Sequence, residues 1–362
     1  MPEVARSPLA GIYHTLGSKL GDYHGVELPL RFSEPAAEHQ AVRQAAGYFD
    51  LSHRARFAAA GTDHVSFLHN MLSNDVKALA PGQGVYATLL DVKGHILADL
   101  RVYRDRDQIL LETDADLRAK AMQTLERYII MDDVTLRPLD QFSMAFQGPQ
   151  ARALVERVVR AALPNLHNEY DHVTAALPGG EGVRVVKATS TGDEGYEVWA
   201  DASTLAHLWE AAGQEAGSFG ALPCGTEALE SLRIEAGIPR YGAELGEDTL
   251  PLEAGLLNAL SFTKGCYIGQ EIVERARSRG HVNWKLVGLT VDSATQPAPG
   301  EKLLSQSKEV GEITSSCVSP ILNKILALAY VRREASEPGT KLILGSGPSG
   351  EVTALPFVSS NR

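Results

Sequence analysis

The sequence predicts an α+β fold, on three observations. Short extended runs are interleaved with single helices twice over; the last fifth of the chain holds only short β-rich runs between turns; and 362 residues exceed what one hydrophobic core usually serves. Two or three modules are therefore expected, each with its own core.

Taken in order, Ser33 is positioned to cap a helix that starts near Pro35, runs through Ala41, Val42 and Ala45, and stops at Gly47. A second helix begins after Thr62 and carries Val65, Leu68, Met71 and Leu72 at helical spacing, which makes Met71 a core residue. Residues 84–90 and 95–103 read as extended, and Asp91-Val92-Lys93-Gly94 supplies the turn of a hairpin. A strand at 108–111 leads to Asp114 as a cap and to a helix with Leu117, Ala121, Leu125 and Tyr128 along one face. Extended runs follow at 134–137 and 143–147, and Gly148-Pro149 opens another helical stretch. After the turn-rich residues 178–182 come strands near 183–188 and 196–200, then a helix capped by Ser203. This alternation is that of a split βαβ or ferredoxin-like arrangement.

Residues 227–235 are helical by composition, with Gly237 as the stop, and the glycine- and proline-rich segment 237–280 reads as packed functional loops rather than a linker. Beyond Trp284, β-rich runs at 286–291, 309–314 and 341–344 alternate with Pro297, Pro299, Pro338 and Pro348, which describes a small β module. Residues 345–350 read as an exposed turn.

Composition narrows the function classes. Thirty-four Lys and Arg against forty-five Asp and Glu give a net charge of −11, which opposes general nucleic-acid binding by phosphate neutralisation. The run Arg275-Ala276-Arg277-Ser278-Arg279 is the one basic candidate, read as a solvated segment or a small-anion site. No segment is long and apolar enough to cross a bilayer, and no secretory signal is visible, so no membrane partner is expected. Three widely spaced cysteines, Cys224, Cys266 and Cys317, with no C-x-x-C pair, read as reduced thiols of a cytoplasmic protein. The histidines lack ligand spacing, so no metal is expected; dinucleotide, P-loop and serine-hydrolase signatures are also missing.

Two residues carry chemistry by pattern. Asp99 lies on a strand face with Leu97 and Arg101, and a carboxylate in an apolar strand requires a partner. That partner is Arg101 or another basic group, or a protonated nitrogen of a ligand. Cys266 sits between Gly265 and Gly269, where Lys264, Arg275 and Arg277 favour a thiolate if the fold brings them close.

Several motifs resemble the glycine-cleavage T-protein superfamily. Residues 82–103 are similar to the T-protein segment in which a strand tyrosine precedes a G-G-x-x-D-D element; Tyr86 and Asp99 match, while Ala98 replaces the first aspartate and His95 the second glycine. Thr191-Gly192-Asp193-Glu194-Gly195-Tyr196-Glu197 is similar to T-G-E-D-G-x-E, and Ser231-Leu232-Arg233-Ile234-Glu235-Ala236-Gly237-Ile238-Pro239-Arg240-Tyr241-Gly242 is close to the S-L-R-L-E-A-G element. Ala228-Leu229-Glu230 stands where T-proteins begin A-R-D, so a folate-holding arginine is missing at Leu229. Lys264-Gly265-Cys266-Tyr267-Ile268-Gly269-Gln270-Glu271 resembles the K-G-C-Y-x-G-Q-E signature of the folate-binding YgfZ group, where T-proteins carry K-G-D-F-I-G. Similarity extends to both ends, through residues 22–29, Ser319-Pro320 and 355–358.

The resemblance implies two interlocked ferredoxin-like α+β modules in residues 1–280 and a C-terminal β-barrel-like module in 281–362, around an opening that receives tetrahydrofolate. It implies that Asp99 lies beside the reactive folate nitrogens and that Glu197 accepts paired hydrogen bonds from the pterin edge. Tyr86, Tyr196 and Arg233 complete the implied folate contacts, although Arg233 and Glu235 also read as a structural ion pair. Asp99 and Cys266 are the implied catalytic residues. The leading expectation is a YgfZ-like protein supporting assembly or repair of iron–sulphur clusters in client proteins. The alternatives are an aminomethyltransferase served by a lipoylated carrier protein, a folate-dependent demethylase, and a non-catalytic folate-binding module.

Overall fold

The computed structural model describes residues 4–278, 280 and 282–359, so the expected basic run is seen without Arg279. Two antiparallel-dominated sheets form the α+β part. One has strand order His172–Ala176, Gly182–Lys187, Gly195–Ala200, Phe142–Gln147, Gly47–Asp50 and Leu222–Pro223; the other runs Gly84–Leu90, Ile96–Arg104, Gln108–Asp114, Arg54–Ala60 and Thr135–Leu139. Chain order interlocks them, because Gly47–Asp50 belongs to the first sheet, residues 54–139 build the second, and Phe142–Gln147 returns to the first. A small sheet of Ala5–Arg6, Val26–Arg31 and Lys19–Tyr23 precedes them. A closed barrel of six strands, Trp284–Asp292 through Ser349–Thr353, ends the chain.

Strand alternation gives each sheet an outer face covered by helices and an inner face turned toward the other sheet. Outside the first sheet, helices Ala151–Val159 and Ala202–Ala216 pack Leu154, Val155, Leu205 and Trp209 onto Met144, Phe146, Tyr196 and Val198. Outside the second, helices His64–Met71 and Ala115–Glu126 pack Leu68, Met71, Leu117 and Leu125 onto Ala98, Leu100 and Val102. The inner layer is apolar at one end, where Ala58, Tyr103, Leu110, Val186, Ala188 and Trp199 meet. Its other end is charged, and the candidate site lies there.

Several local expectations need correction. Ser33 does not cap its helix; instead Glu38, buried in the first turn, accepts from the Phe32 and Ser33 amides at 2.7 and 2.6 Å. Asp201, not Ser203, caps the helix Ala202–Ala216, accepting from the Thr204 amide at 2.9 Å. Asp114 occupies the N-cap position of Ala115–Glu126 but turns its carboxylate to Arg54 at 2.6 Å, because a guanidinium is the stronger partner. The segment 237–280 packs as expected but also contains a helix, Gln270–Ser278. Arg233 and Glu235 do not pair: Arg233 reaches Glu230 and Glu244, whereas Glu235 accepts from Arg43 at 2.7 Å and meets His39 at 3.1 Å. Two helical positions separate their side chains by about 200°, so each serves a different side of the helix.

Gly148 closes the turn between Phe142–Gln147 and the following helix at φ 115°. A Cβ there would lie 2.2 Å from the Val42 carbonyl oxygen. Gly148→Ala is expected to destabilise the protein by about 2–3 kcal/mol, read as a lowered urea midpoint; an unchanged midpoint would contradict the close approach.

Candidate active site

The charged end of the inner layer is built from alternating residues on four strands. Arg54 and Arg56 come from Arg54–Ala60, Asp99 and Arg101 from Ile96–Arg104, Glu112 and Asp114 from Gln108–Asp114, and Glu197 from Gly195–Ala200. Register sets Arg56 and Arg101 opposite Glu112, and Arg54 opposite Asp114. The result is a lattice of ion pairs: Arg54 to Glu112 at 2.9 Å and Asp114 at 2.6 Å, Arg56 to Glu112 at 3.1 Å, and Arg101 to Glu112 at 3.2 Å and Glu197 at 2.5 Å. Burial alone would raise Glu112, but Arg56, Arg54 and Arg101 hold it down at about 2.

Asp99 stands apart from this lattice. Arg101, its expected partner, is committed to Glu112 and Glu197, and among the described residues Asp99 makes no ion pair. Its Oδ2 accepts from the Tyr86 hydroxyl at 3.1 Å, while Oδ1 is buried with no hydrogen-bond partner among the described residues. Burial therefore pushes the Asp99 carboxyl above its ordinary value of 3.8, against the pull of Arg54 and with support from Asp114. Burial and Asp99 together push the Tyr86 hydroxyl well above 10.0, so Tyr86 stays protonated and donates.

A cavity of about 450 Å³ opens onto this pair. Tyr86, Asp99, Arg101 and Tyr170 line it together with Tyr23, His24, His53, Arg54 and Asp114, and with Arg233, Gly237, Arg240 and Tyr241. Tyr170 adopts φ 70°, a left-handed conformation that side chains other than glycine seldom take, and its ring lies 6.5 Å from that of Tyr86 at 30°. Gly84 makes room for it, since a Cβ at 84 would sit 2.7 Å from the Tyr170 Cβ. His53 stacks on His24 with centroids 5.8 Å apart; burial pulls His53 down to about 3, so it is neutral. Two near-parallel aromatic rings beside a carboxylate with an unsatisfied oxygen suit a flat heteroaromatic ligand bearing N–H donors.

Of the expected site residues, Tyr86, Asp99 and Arg233 line this cavity. Arg233 is saturated by Glu230 at 2.8 Å, Glu244 at 2.9 Å and Ser315 at 2.6 Å, which ties the helix Thr226–Glu235 to the barrel. Glu197 is fully buried behind the wall, bonded to Arg101 and to the Trp199 ring nitrogen at 3.4 Å. Tyr196, one residue away, faces the opposite side of the sheet in the helix-covered core, with its hydroxyl on Glu194 at 2.8 Å. Cys266 is exposed and does not line the cavity. Nor are the expected activating cations directed at it: the buried Lys264 ammonium is caged by the His69, Leu72 and Asn74 carbonyls, Arg275 pairs with Glu271, and Arg277 lies 4.0 Å over Phe262.

Sequence reasoning missed Tyr170, His24, His53, Arg54 and Arg240. They come from four separated segments; the signals were Tyr23-His24 inside the matched residues 22–29 and Arg240 inside the matched residues 231–242.

The comparisons agree with the fold. Residues 9–264 match the GCVT N-terminal domain, and residues 285–358 match the glycine cleavage T-protein C-terminal barrel domain. An aminomethyltransferase of Bacillus subtilis is 33% identical over 338 residues, covering 92% of this chain and 93% of its own. An aminomethyltransferase of Cutibacterium acnes is 33% identical over 371 residues, covering 99% of both. The crystal structure of glycine cleavage system aminomethyltransferase T from Bartonella henselae superposes with a TM-score of 0.89 at 26% identity, over 98% of each chain.

Proposed function

Because the chain belongs to the glycine cleavage T-protein family, we propose that it is a tetrahydrofolate-dependent aminomethyltransferase. In that reaction the methylene carbon of an aminomethyl group on the lipoyl arm of a carrier protein passes to tetrahydrofolate, giving methylenetetrahydrofolate, ammonia and the arm as its free dithiol. The observation that carries the reading is Asp99, a buried cavity carboxylate bonded to Tyr86 through one oxygen and, among the described residues, to nothing through the other.

Tetrahydrofolate supplies the nitrogens that accept the one-carbon unit. Its ring system fits the space beside Tyr86 and Tyr170, and its N–H donors fit the Asp99 carboxylate. Asp99, with a pKa raised by burial, is suited to hold a substrate nitrogen and to take or return its proton. Tyr86 fixes the carboxylate's orientation, and His53, neutral where it lines the same cavity, adds no competing charge. Glu197 acts through Arg101, which it holds 5.7 Å from the Tyr170 ring, so it is a positioning residue in this reading. The test is turnover: purified protein is expected to release ammonia only when both tetrahydrofolate and the aminomethylated carrier are supplied. Folate binding without ammonia release would reduce it to a binding module.

The YgfZ-like reading rests on Cys266 within its matched motif, and the exposed thiol favours it as a secondary role. Its expected result is that Cys266→Ser lowers the activity of iron–sulphur enzymes in cells by about half or more while ammonia release in vitro is kept. Cluster enzymes at wild-type activity would count against it. Full-length relatives named aminomethyltransferase support the transferase more strongly.

A further inference from the structure

We infer that Arg240 is the residue that reads an anionic end of the ligand, a carboxylate, within the cavity it shares with Asp99. This deepens the folate reading and rests on it for the ligand's identity. Four guanidinium groups line the cavity, from Arg54, Arg101, Arg233 and Arg240. The first three are spent on buried carboxylates, and their side chains are only 10%, 13% and 5% exposed. Arg240 is 32% exposed and is the accessible cation of the set.

It is also held in place. Its Nε lies 3.1 Å from Glu230, and its Nη1 donates to His24 Nε2 at 3.2 Å. Accepting at Nε2 leaves the neutral His24 ring with its proton on Nδ1, which faces Asp114 at 3.6 Å and Asp116 at 3.9 Å. The guanidinium also lies 5.8 Å from the centroid of the Tyr23 ring. Nη2 has no partner among the described residues, so a pre-set guanidinium edge remains for an incoming acceptor. Glu230 does not cancel it, because Arg233 shares the same carboxylate at 2.8 Å.

Asp99 and Arg240 are linked by a chain of contacts. Asp99 feels Arg54, Arg54 holds Asp114, Asp114 faces His24, and His24 accepts from Arg240. The cavity thus offers both polarities, a carboxylate for a nitrogen-rich ring system and a free guanidinium edge for an anion. A reduced folate has that polarity, since its glutamate carries carboxylates opposite the pterin.

The test uses the full-length protein and anaerobic calorimetry with three probes. These are tetrahydrofolate, the tetrahydropteroyl amide that keeps the rings and lacks carboxylates, and p-aminobenzoylglutamate, which keeps only the anionic end. Wild-type protein is expected to prefer tetrahydrofolate to the amide by roughly tenfold. Arg240→Gln should lose about tenfold for tetrahydrofolate and for p-aminobenzoylglutamate and leave the amide within about twofold, with Arg240→Lys intermediate. Equal losses for tetrahydrofolate and the amide, or none for either, would overturn the assignment. Because p-aminobenzoylglutamate lacks the pterin, its response to Arg240→Gln decides the Arg240 assignment even if tetrahydrofolate itself fails to bind, which would overturn the folate reading alone.

Discussion

Asp99→Asn is expected to lower ammonia release by about 10³-fold while the protein keeps, or gains, thermal stability. Asparagine has the carboxylate's shape and can still meet the Tyr86 hydroxyl, but it cannot carry negative charge or accept a proton. Stability moves the other way because the buried carboxylate is under-satisfied. Its folded pKa lies above its ordinary value of 3.8, so ionisation opposes folding as pH rises through the window between them. Removing that charge removes the penalty. Loss of activity without loss of stability is the signature of a group placed for chemistry. A variant that turns over normally, or that melts early, would contradict this role.

The opposite signature is expected at Glu112. This fully buried carboxylate accepts from Arg54, Arg56 and Arg101; replacing it leaves Arg56 with no carboxylate among the described residues and takes one of two from Arg54 and from Arg101. Glu112→Gln should destabilise by about 3–5 kcal/mol, seen as a large fall in the urea midpoint. The pH dependence follows from the depressed pKa. Glu112 sits at about 2 when folded against 4.5 ordinarily, so its stabilisation is complete above 4.5 and is lost as pH falls toward 2. Glu230, lowered to about 2 beside Arg233 and Arg240, adds to the same acid limb. The thermal midpoint of the wild type should drop across that window, and that of Glu112→Gln should drop less. Parallel slopes would show that the lattice contributes nothing to acid sensitivity.

How far the sequence could be read follows from the range of each interaction. Gly84–Leu90 and the turn before Ile96–Arg104 were legible because they are local: Asp91 accepts from the Lys93 and His95 amides at 2.8 Å, and Gly94 takes φ 81°. Tyr86 and Asp99 were legible as a pair through the matched segment, and hairpin register makes them diagonal neighbours. What failed was partner choice. Arg101 is two residues from Asp99, yet Glu112 on the next strand and Glu197 on the other sheet claim it, and no one-dimensional pattern reports a sheet-to-sheet contact. Tyr196 and Glu197 were assigned together from one motif, although strand alternation sends them to opposite faces. Lys264 looked like a neighbour able to activate Cys266, but three backbone carbonyls near 69–74 attract the ammonium more strongly.

The central claim is turnover by this chain, and the most direct measurement is the stoichiometry of ammonia to methylenetetrahydrofolate. Purified protein is incubated with tetrahydrofolate and a lipoylated carrier already loaded with the aminomethyl group. One ammonia released per methylenetetrahydrofolate formed, with neither appearing when a component is omitted, is the result predicted here. No ammonia above the protein-free background, from a carrier that an authentic aminomethyltransferase unloads, would contradict it.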